Sequence, residues 1–126
     1  AVKEISNYLN NNAANIRRAA IYILWKGDFA NIKSAEDNLL KLCTHEENLT
    51  RGMAALAIGE KKVSAGYDAL KNMTLNDKDG YARRCAAYAL GLYGDKDALP
   101  TLQKALEDSD SMVKANAQAA IALLNK

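Results

Sequence analysis

The sequence predicts an all-α fold, a solenoid of about four stacked helical hairpins with eight helices and no strands, on three observations. The first is a recurring string: Thr50-Arg51-Gly52-Met53-Ala54-Ala55-Leu56-Ala57-Ile58-Gly59 is answered by Ala82-Arg83-Arg84-Cys85-Ala86-Ala87-Tyr88-Ala89-Leu90-Gly91. Looser copies begin at Ile16 and Val113, and the basic marks Arg17, Arg51, Arg83 and Lys114 are separated by 34, 32 and 31 residues. A steady period of this length marks a repeat array, in which each unit buries its apolar face against its neighbours. The second is composition: 49% hydrophobic but only 6% aromatic, with one proline, a balance of alanine and leucine that suits close-packed helices rather than strands. The third is spacing. Ala82, Cys85, Ala86, Ala89, Leu90 and Tyr93 recur at i, i+3 and i+4, the stripe of a helix buried on one side.

In chain order, residues 1–10 read as a lone B helix, because Val2, Ile5 and Leu9 match the apolar face Leu99, Leu102 and Leu106 of a later B helix. Residues 13–43 form the first A–B repeat and the most degenerate one. Trp25 stands where Gly59 and Gly91 stand, and the Gly27–Ser34 connection is irregular. Residues 46–75 make the second repeat. Residues 79–108 make the third: Asp79 can cap its A helix, Gly94 and Asp95 end it, and Pro100 suits the first turn of its B helix, where a missing N–H costs nothing. Residues 110–126 supply a final A helix. Ala54, Ala57, Ala86, Ala89, Ala117 and Ala120 allow helix axes to approach closely, with leucines of the partner filling the space above them.

Bulk properties bound the function. Seventeen basic and 15 acidic residues leave a net charge of +2, so no long-range field draws the chain to nucleic acid or anionic lipid. No apolar run approaches the roughly 20 residues that span a bilayer. Cys43 and Cys85 lie in different repeats inside apolar patterns and read as buried hydrophobes, which points to a reducing, cytoplasmic compartment. No signal peptide is evident and no initiator methionine precedes Ala1, so processing or excision from a longer repeat protein is expected.

The string Asp79, Tyr81-Ala82-Arg83, Ala86-Ala87, Ala89-Leu90-Gly91, Gly94-Asp95, Ala98-Leu99-Pro100, Leu102, Ala105-Leu106 and Asp108 resembles the short HEAT-like repeat named after the phycobilisome lyases. The likeness is strong over 76–124, fair over 44–75 and loose over 1–43. It implies a right-handed α–α superhelix with A helices on the convex side and B helices lining the concave side. Members of this family serve as adaptors and scaffolds, as pilin- or lyase-associated modules, and only occasionally as enzymes.

Four sets of residues carry candidate chemistry. Arg17, Arg18, Arg51, Arg83, Arg84 and Lys114 can form a stripe that reads phosphates, as in a HEAT-like DNA glycosylase. Against this, Glu47, Asp79 and Asp110 each precede a base by four residues, which predicts an i,i+4 structural ladder and leaves Arg17 alone without an acid. His45-Glu46 resembles one of the metal-holding pairs of deoxyhypusine hydroxylase, but the sequence holds a single histidine and no second pair. Tyr22 and Tyr88, four residues after Arg18 and Arg84, can form pairs with them that stack on a partner or on bases, or that cover a neighbouring repeat with ring and guanidinium stem, and Trp25 reads as a core plug beside the irregular turn.

No nucleophile–base pair and no phosphate-binding glycine loop can be assembled. The expected residues projecting from the B helices are Asp37, Asn38 and Lys41, then Asp68, Lys71 and Asn72, then Thr101, Lys104 and Glu107. The sequence therefore predicts a non-enzymatic protein-interaction module with no cofactor, no metal and no membrane contact, binding a protein or peptide on this mixed-charge face. The alternatives are nucleic-acid binding through the arginines, or an accessory subunit of phycobilisome-lyase type. The outer sides of the first B helix and last A helix, each without a hairpin partner, admit end-to-end association.

Overall fold

The computed structural model describes residues 1–126 and contains eight α-helices and no strand. The A helices are α2 (Ala14–Lys26), α4 (Asn48–Glu60), α6 (Gly80–Tyr93) and α8 (Ser111–Leu124). The B helices are α1 (Val2–Tyr8), α3 (Glu36–Lys41), α5 (Tyr67–Asn76) and α7 (Leu99–Ala105). Each B helix after the first is entered through a short 3₁₀ turn, whose last residue, Ala35, Gly66 or Ala98, is buried. The first connection is longer than the others, and Phe29 and the buried Ile32 fill the extra space it spans.

The A helices stack side by side as one layer, α2 on α4, α4 on α6 and α6 on α8. The seams are thin because glycine meets alanine there. A Cβ on Gly91 would fall 2.7 Å from the Ala120 Cα, and one on Gly59 would collide with the Ala89 backbone. Leu9, Leu39, Leu70 and Leu102 of the B side are fully buried beneath this layer. Truncating such a leucine to alanine costs about 2–5 kcal/mol, through lost transfer energy and the cavity left behind. Each B helix packs chiefly on the A helix that follows it, α1 on α2, α5 on α6 and α7 on α8.

The expected stops and caps form. Gly94 ends α6 at φ 91°, a left-handed conformation that glycine adopts without penalty. The Asp79 carboxylate accepts from the Ala82 N–H at 3.2 Å, and the Asp110 carboxylate from the Met112 N–H at 2.8 Å. Pro100 lies in the first turn of α7.

Candidate interaction surfaces

The repeated base occupies the fourth position of each A helix, and in α2, α4 and α6 it is an arginine whose guanidinium folds back over the loop that leads into the helix. Arg51 Nη1 donates to the His45 and Glu46 carbonyls at 2.9 and 3.1 Å, and Arg83 Nη1 to the Asp77 carbonyl at 2.9 Å. Arg17 does the same to the Asn11 carbonyl at 3.0 Å. The remaining donors reach the loop that leads into the next A helix, or the start of that helix. Arg51 forms a two-pronged pair with Asp77, both contacts at 2.9 Å, and Arg83 forms one with Asp108 at 2.9 and 3.2 Å. Arg17 Nε reaches the Thr50 hydroxyl at 2.9 Å, while Arg17 and Arg18 share the Glu47 carboxylate at 3.1 and 2.9 Å.

This corrects the expected i,i+4 ladder. Glu47, Asp79 and Asp110 are N-cap residues in extended backbone conformation, and none pairs with the base four residues on. Asp79 and Asp110 turn onto their own helix N-termini, and Asp79 also accepts from Asn48 Nδ2 at 3.2 Å. The planar guanidinium finds a bidentate carboxylate one repeat away, a stronger arrangement than a single contact along the helix. Arg17 is therefore well supplied with partners, and Lys114, with no following repeat, is the exposed base. Asp77 and Asp108 were the missed residues. Their signal was present, since each lies six residues before the base of its own repeat.

Electrostatics follow the hydrogen bonds. The Thr50 hydroxyl, with Arg17 and Arg18, holds the Glu47 carboxyl below its ordinary value. Burial pushes the Asp108 carboxyl up, but the Asp110 N–H and Arg83 outweigh it and the net shift is downward. Asp79 behaves alike: burial opposes Asn48 and the helix N–H groups, which prevail. Burial pushes the Cys43 thiol up to about 12 and the Cys85 thiol up as well, so neither is a thiolate nucleophile near neutrality.

The other candidates resolve plainly. His45 Nδ1 accepts from the Glu47 N–H at 3.0 Å and so serves the turn before α4. It edges a polar cleft of about 370 Å³ whose central charges, Arg51 and Asp77, are already paired. Neither Tyr22 nor Tyr88 lies against the arginine four residues before it. Arg84 instead lies over Tyr81, 5.0 Å from the ring centroid, and Arg18 is engaged by Glu47. Tyr22 meets the edge of Trp25 at 5.9 Å between centroids. Trp25 packs against the core with its indole N–H buried and unpartnered, and Lys26 lies over its outer side at 4.5 Å.

On the B side, Asp37, Lys41, Asp68, Asn72, Lys104 and Glu107 are exposed and Thr101 is half-buried. Asn38 is spent internally, donating to the Ser6 hydroxyl at 3.0 Å and so tying α3 to α1. Lys71 lies 4.7 Å from the Tyr67 ring centroid and 3.6 Å from Asp68. The B-side residues form a row and not a pocket; of the nine, only Asn72 borders a cleft.

The apolar surface lies elsewhere. Tyr8, Ile16, Tyr22, Ile23 and Leu49, five of the seven exposed large hydrophobic residues, gather at the α1–α2 end. There an open groove of about 430 Å³ runs between α1 and α2, floored by Ile5, Ala19 and Ala20. At the opposite end Lys114, Gln118 and Ala122 project from α8, and Met112 is its one exposed large hydrophobic residue. Apolar exposure is thus concentrated at one end of the stack, on α2 more than on α1.

The HEAT-repeat model matches residues 2–84 and again 67–125, which together span nearly the whole chain. The chain belongs to the HEAT-repeat family. Among solved structures, this HEAT-repeat chain is similar to the crystal structure of an engineered protein from a structural genomics consortium, with TM-score 0.72 and 22% identity. That match covers 98% of this chain and 62% of the other. A second engineered protein matches with TM-score 0.67 and 23% identity, over 99% of this chain and 38% of that one. At such identities the likeness concerns the fold alone, and this chain spans less than two thirds of either neighbour. No curated protein gave a significant match.

Proposed function

We propose that this HEAT-repeat chain is a non-catalytic scaffold that holds a polar protein or peptide segment along its B helices. One observation carries the reading: the guanidinium groups of Arg17, Arg18, Arg51 and Arg83 are engaged by carboxylates and carbonyls, whereas the B side presents a row of exposed charges. Three B-side segments each offer an acid and a base, Asp37 with Lys41 on α3, Asp68 with Lys71 on α5, and Lys104 of α7 with Glu107 just beyond it. A row of alternating sign, repeated once per layer, suits an extended segment of mixed charge that touches several repeats, with affinity that falls as salt rises. The burial of Arg17 and Arg51, both 5% exposed, speaks against a phosphate-reading stripe, because those guanidinium groups face carboxylates and carbonyls. The reading as an accessory subunit of phycobilisome-lyase type rests on the sequence resemblance.

The test is affinity capture with the native chain and with the triple variant Lys41→Glu, Lys71→Glu, Lys104→Glu, both checked for native helicity. Loss of the captured partner in the variant is the expected result, and full retention rejects the B-helix row. A fluorescence-anisotropy titration with a labelled DNA duplex at low salt tests the competing class, since phosphate contacts are strongest there. No binding is expected at roughly tens of micromolar protein, the ordinary range of non-specific affinity.

A further inference from the structure

We propose that the uncovered side of α2 pairs two copies of this chain head to head across a twofold axis. The inner seams define what that side ordinarily meets. The counterparts of Ile16 in the later A helices are Thr50, Ala82 and Val113, and those of Ile23 are Ala57, Ala89 and Ala120. All six are fully buried against the preceding helix layer, whereas Ile16 and Ile23 are 42% and 46% exposed. Isoleucine at these two places is a surface built to be covered.

A further repeat of the same kind is a poor occupant. In each seam the preceding arginine enters a polar socket made by Glu47 and Thr50, by Asp77, or by Asp108. The corresponding positions before and in α2 are Ala13 and Ile16 for the first, and Asn11 for the other two. None holds a carboxylate: Asn11 accepts from the Ala13 N–H at 2.8 Å, as Asp77 and Asp108 accept from the Asp79 and Asp110 N–H groups, but it presents a neutral amide where they present a charge. An incoming guanidinium would find no counter-charge there, with Ile16 in place of the Thr50 hydroxyl. Ile23 also stands where Ala89 and Ala120 let a glycine of the preceding helix approach. The same mismatch opposes head-to-tail stacking, because α8 would bring Lys114 to this acid-free site.

A second copy matches the surface in shape and charge. Ile16 and Ile23 are placed symmetrically about Ala19 and Ala20. An antiparallel α2–α2 crossing therefore sets each Ile16 on the other copy's Ile23, with alanines at the point of closest approach. The groove-lining side chains are all uncharged, and Arg18 at the margin is turned onto Glu47 at 2.9 Å, so two identical faces bring no charged side chain into the groove. Tyr8 and Tyr22, 55% and 52% exposed, flank the crossing and extend the contact.

Analytical ultracentrifugation from roughly 5 to 500 µM tests this, the span in which a standard-sized apolar interface of modest quality dissociates. The wild-type chain is expected to pass from monomer to dimer with no larger species. Ile23→Glu should raise the dissociation constant by about 100-fold or more, as expected for charge forced into a fully desolvated site. A monomer at every concentration, or a dimer indifferent to Ile23→Glu, overturns the proposal. A second readout does not depend on that variant. Ala19→Cys should give a covalent dimer on mild oxidation, while Met112→Cys, 48% exposed before substitution at the other end, should not. The native Cys43 and Cys85 are buried and stay silent. Cross-linking of mixed Ala19→Cys and Ala122→Cys chains in preference to Ala19→Cys alone would mean head-to-tail stacking and would also overturn it.

Discussion

The seam between α2 and α4 and the two seams beyond it solve the same problem with different parts. At α4–α6 and α6–α8 a glycine slides under an alanine, Gly59 at Ala89 and Gly91 at Ala120, and the bidentate pairs Arg51–Asp77 and Arg83–Asp108 close the loop edge. At α2–α4 the glycine is replaced by Trp25, whose ring packs at the margin with its N–H unsatisfied. Two arginines and Thr50 share one glutamate there, in place of a fork on an aspartate. The difference teaches that the repeat tolerates loss of its steric rule only where the polar clasp is broader.

The largest expected effect separates the clasps. In Arg51→Ala the Asp77 carboxylate loses its main partner at a site where both side chains are nearly buried, 6% and 7% exposed. Chemical denaturation should report a loss of about 3–5 kcal/mol, the usual result of removing one member of a buried pair. Arg83→Ala, at 17% and 13% exposure, should lose less, and an equal or larger loss would contradict the burial ranking.

Next comes the steric rule. Gly59→Val places branched carbons against the Ala89 backbone and should cost about 1–3 kcal/mol or more in thermal unfolding. Trp25→Val, at the equivalent place, should cost less strain and lose only partial burial. If both substitutions cost the same, the two seams are not sterically distinct.

Acid sharpens the contrast further. Glu47, Asp79 and Asp108 have folded pKa values below their ordinary ones, so the stability they add is complete above the unfolded values, about 4. It is lost as pH falls through the lower folded values. Denaturation midpoints should therefore hold steady at neutral pH and drop below about pH 4. Glu47→Gln should flatten part of that drop by way of the first seam, and Asp108→Asn by way of the last. The smallest effect is expected on the B row: Lys104→Glu, on an exposed side chain, should shift stability by no more than about 0.5 kcal/mol.

Much of this architecture was legible in the chain because it depends on period and residue size. Alanine at 54, 57, 86, 89, 117 and 120, with leucine at 9, 70 and 102, specifies the layers whatever lies between them, and the caps at Asp79 and Gly94 are local. The pairing of charges was not legible from local spacing. An acid four residues before a base reads identically whether it meets that base or one in the neighbouring repeat. The choice is made by backbone geometry at the N-cap, which turns Asp79 and Asp110 away from Arg83 and Lys114. Arg84 chose Tyr81 over Tyr88 for a similar reason: three residues back on a helix is as near as four onward. The apolar end escaped notice because Ile16 and Ile23 satisfy the helical stripe like any core residue, and only the absence of a layer above them exposes their role.

The arginine clasps all lie along one margin of the stack, where loops lead into A helices, and each ties its own loop to the next. That margin behaves as a stitched spine: layers can splay like pages about it but cannot slide past one another. A ligand stretched across the B row would find a frame whose pitch is held along the spine and whose opening remains elastic.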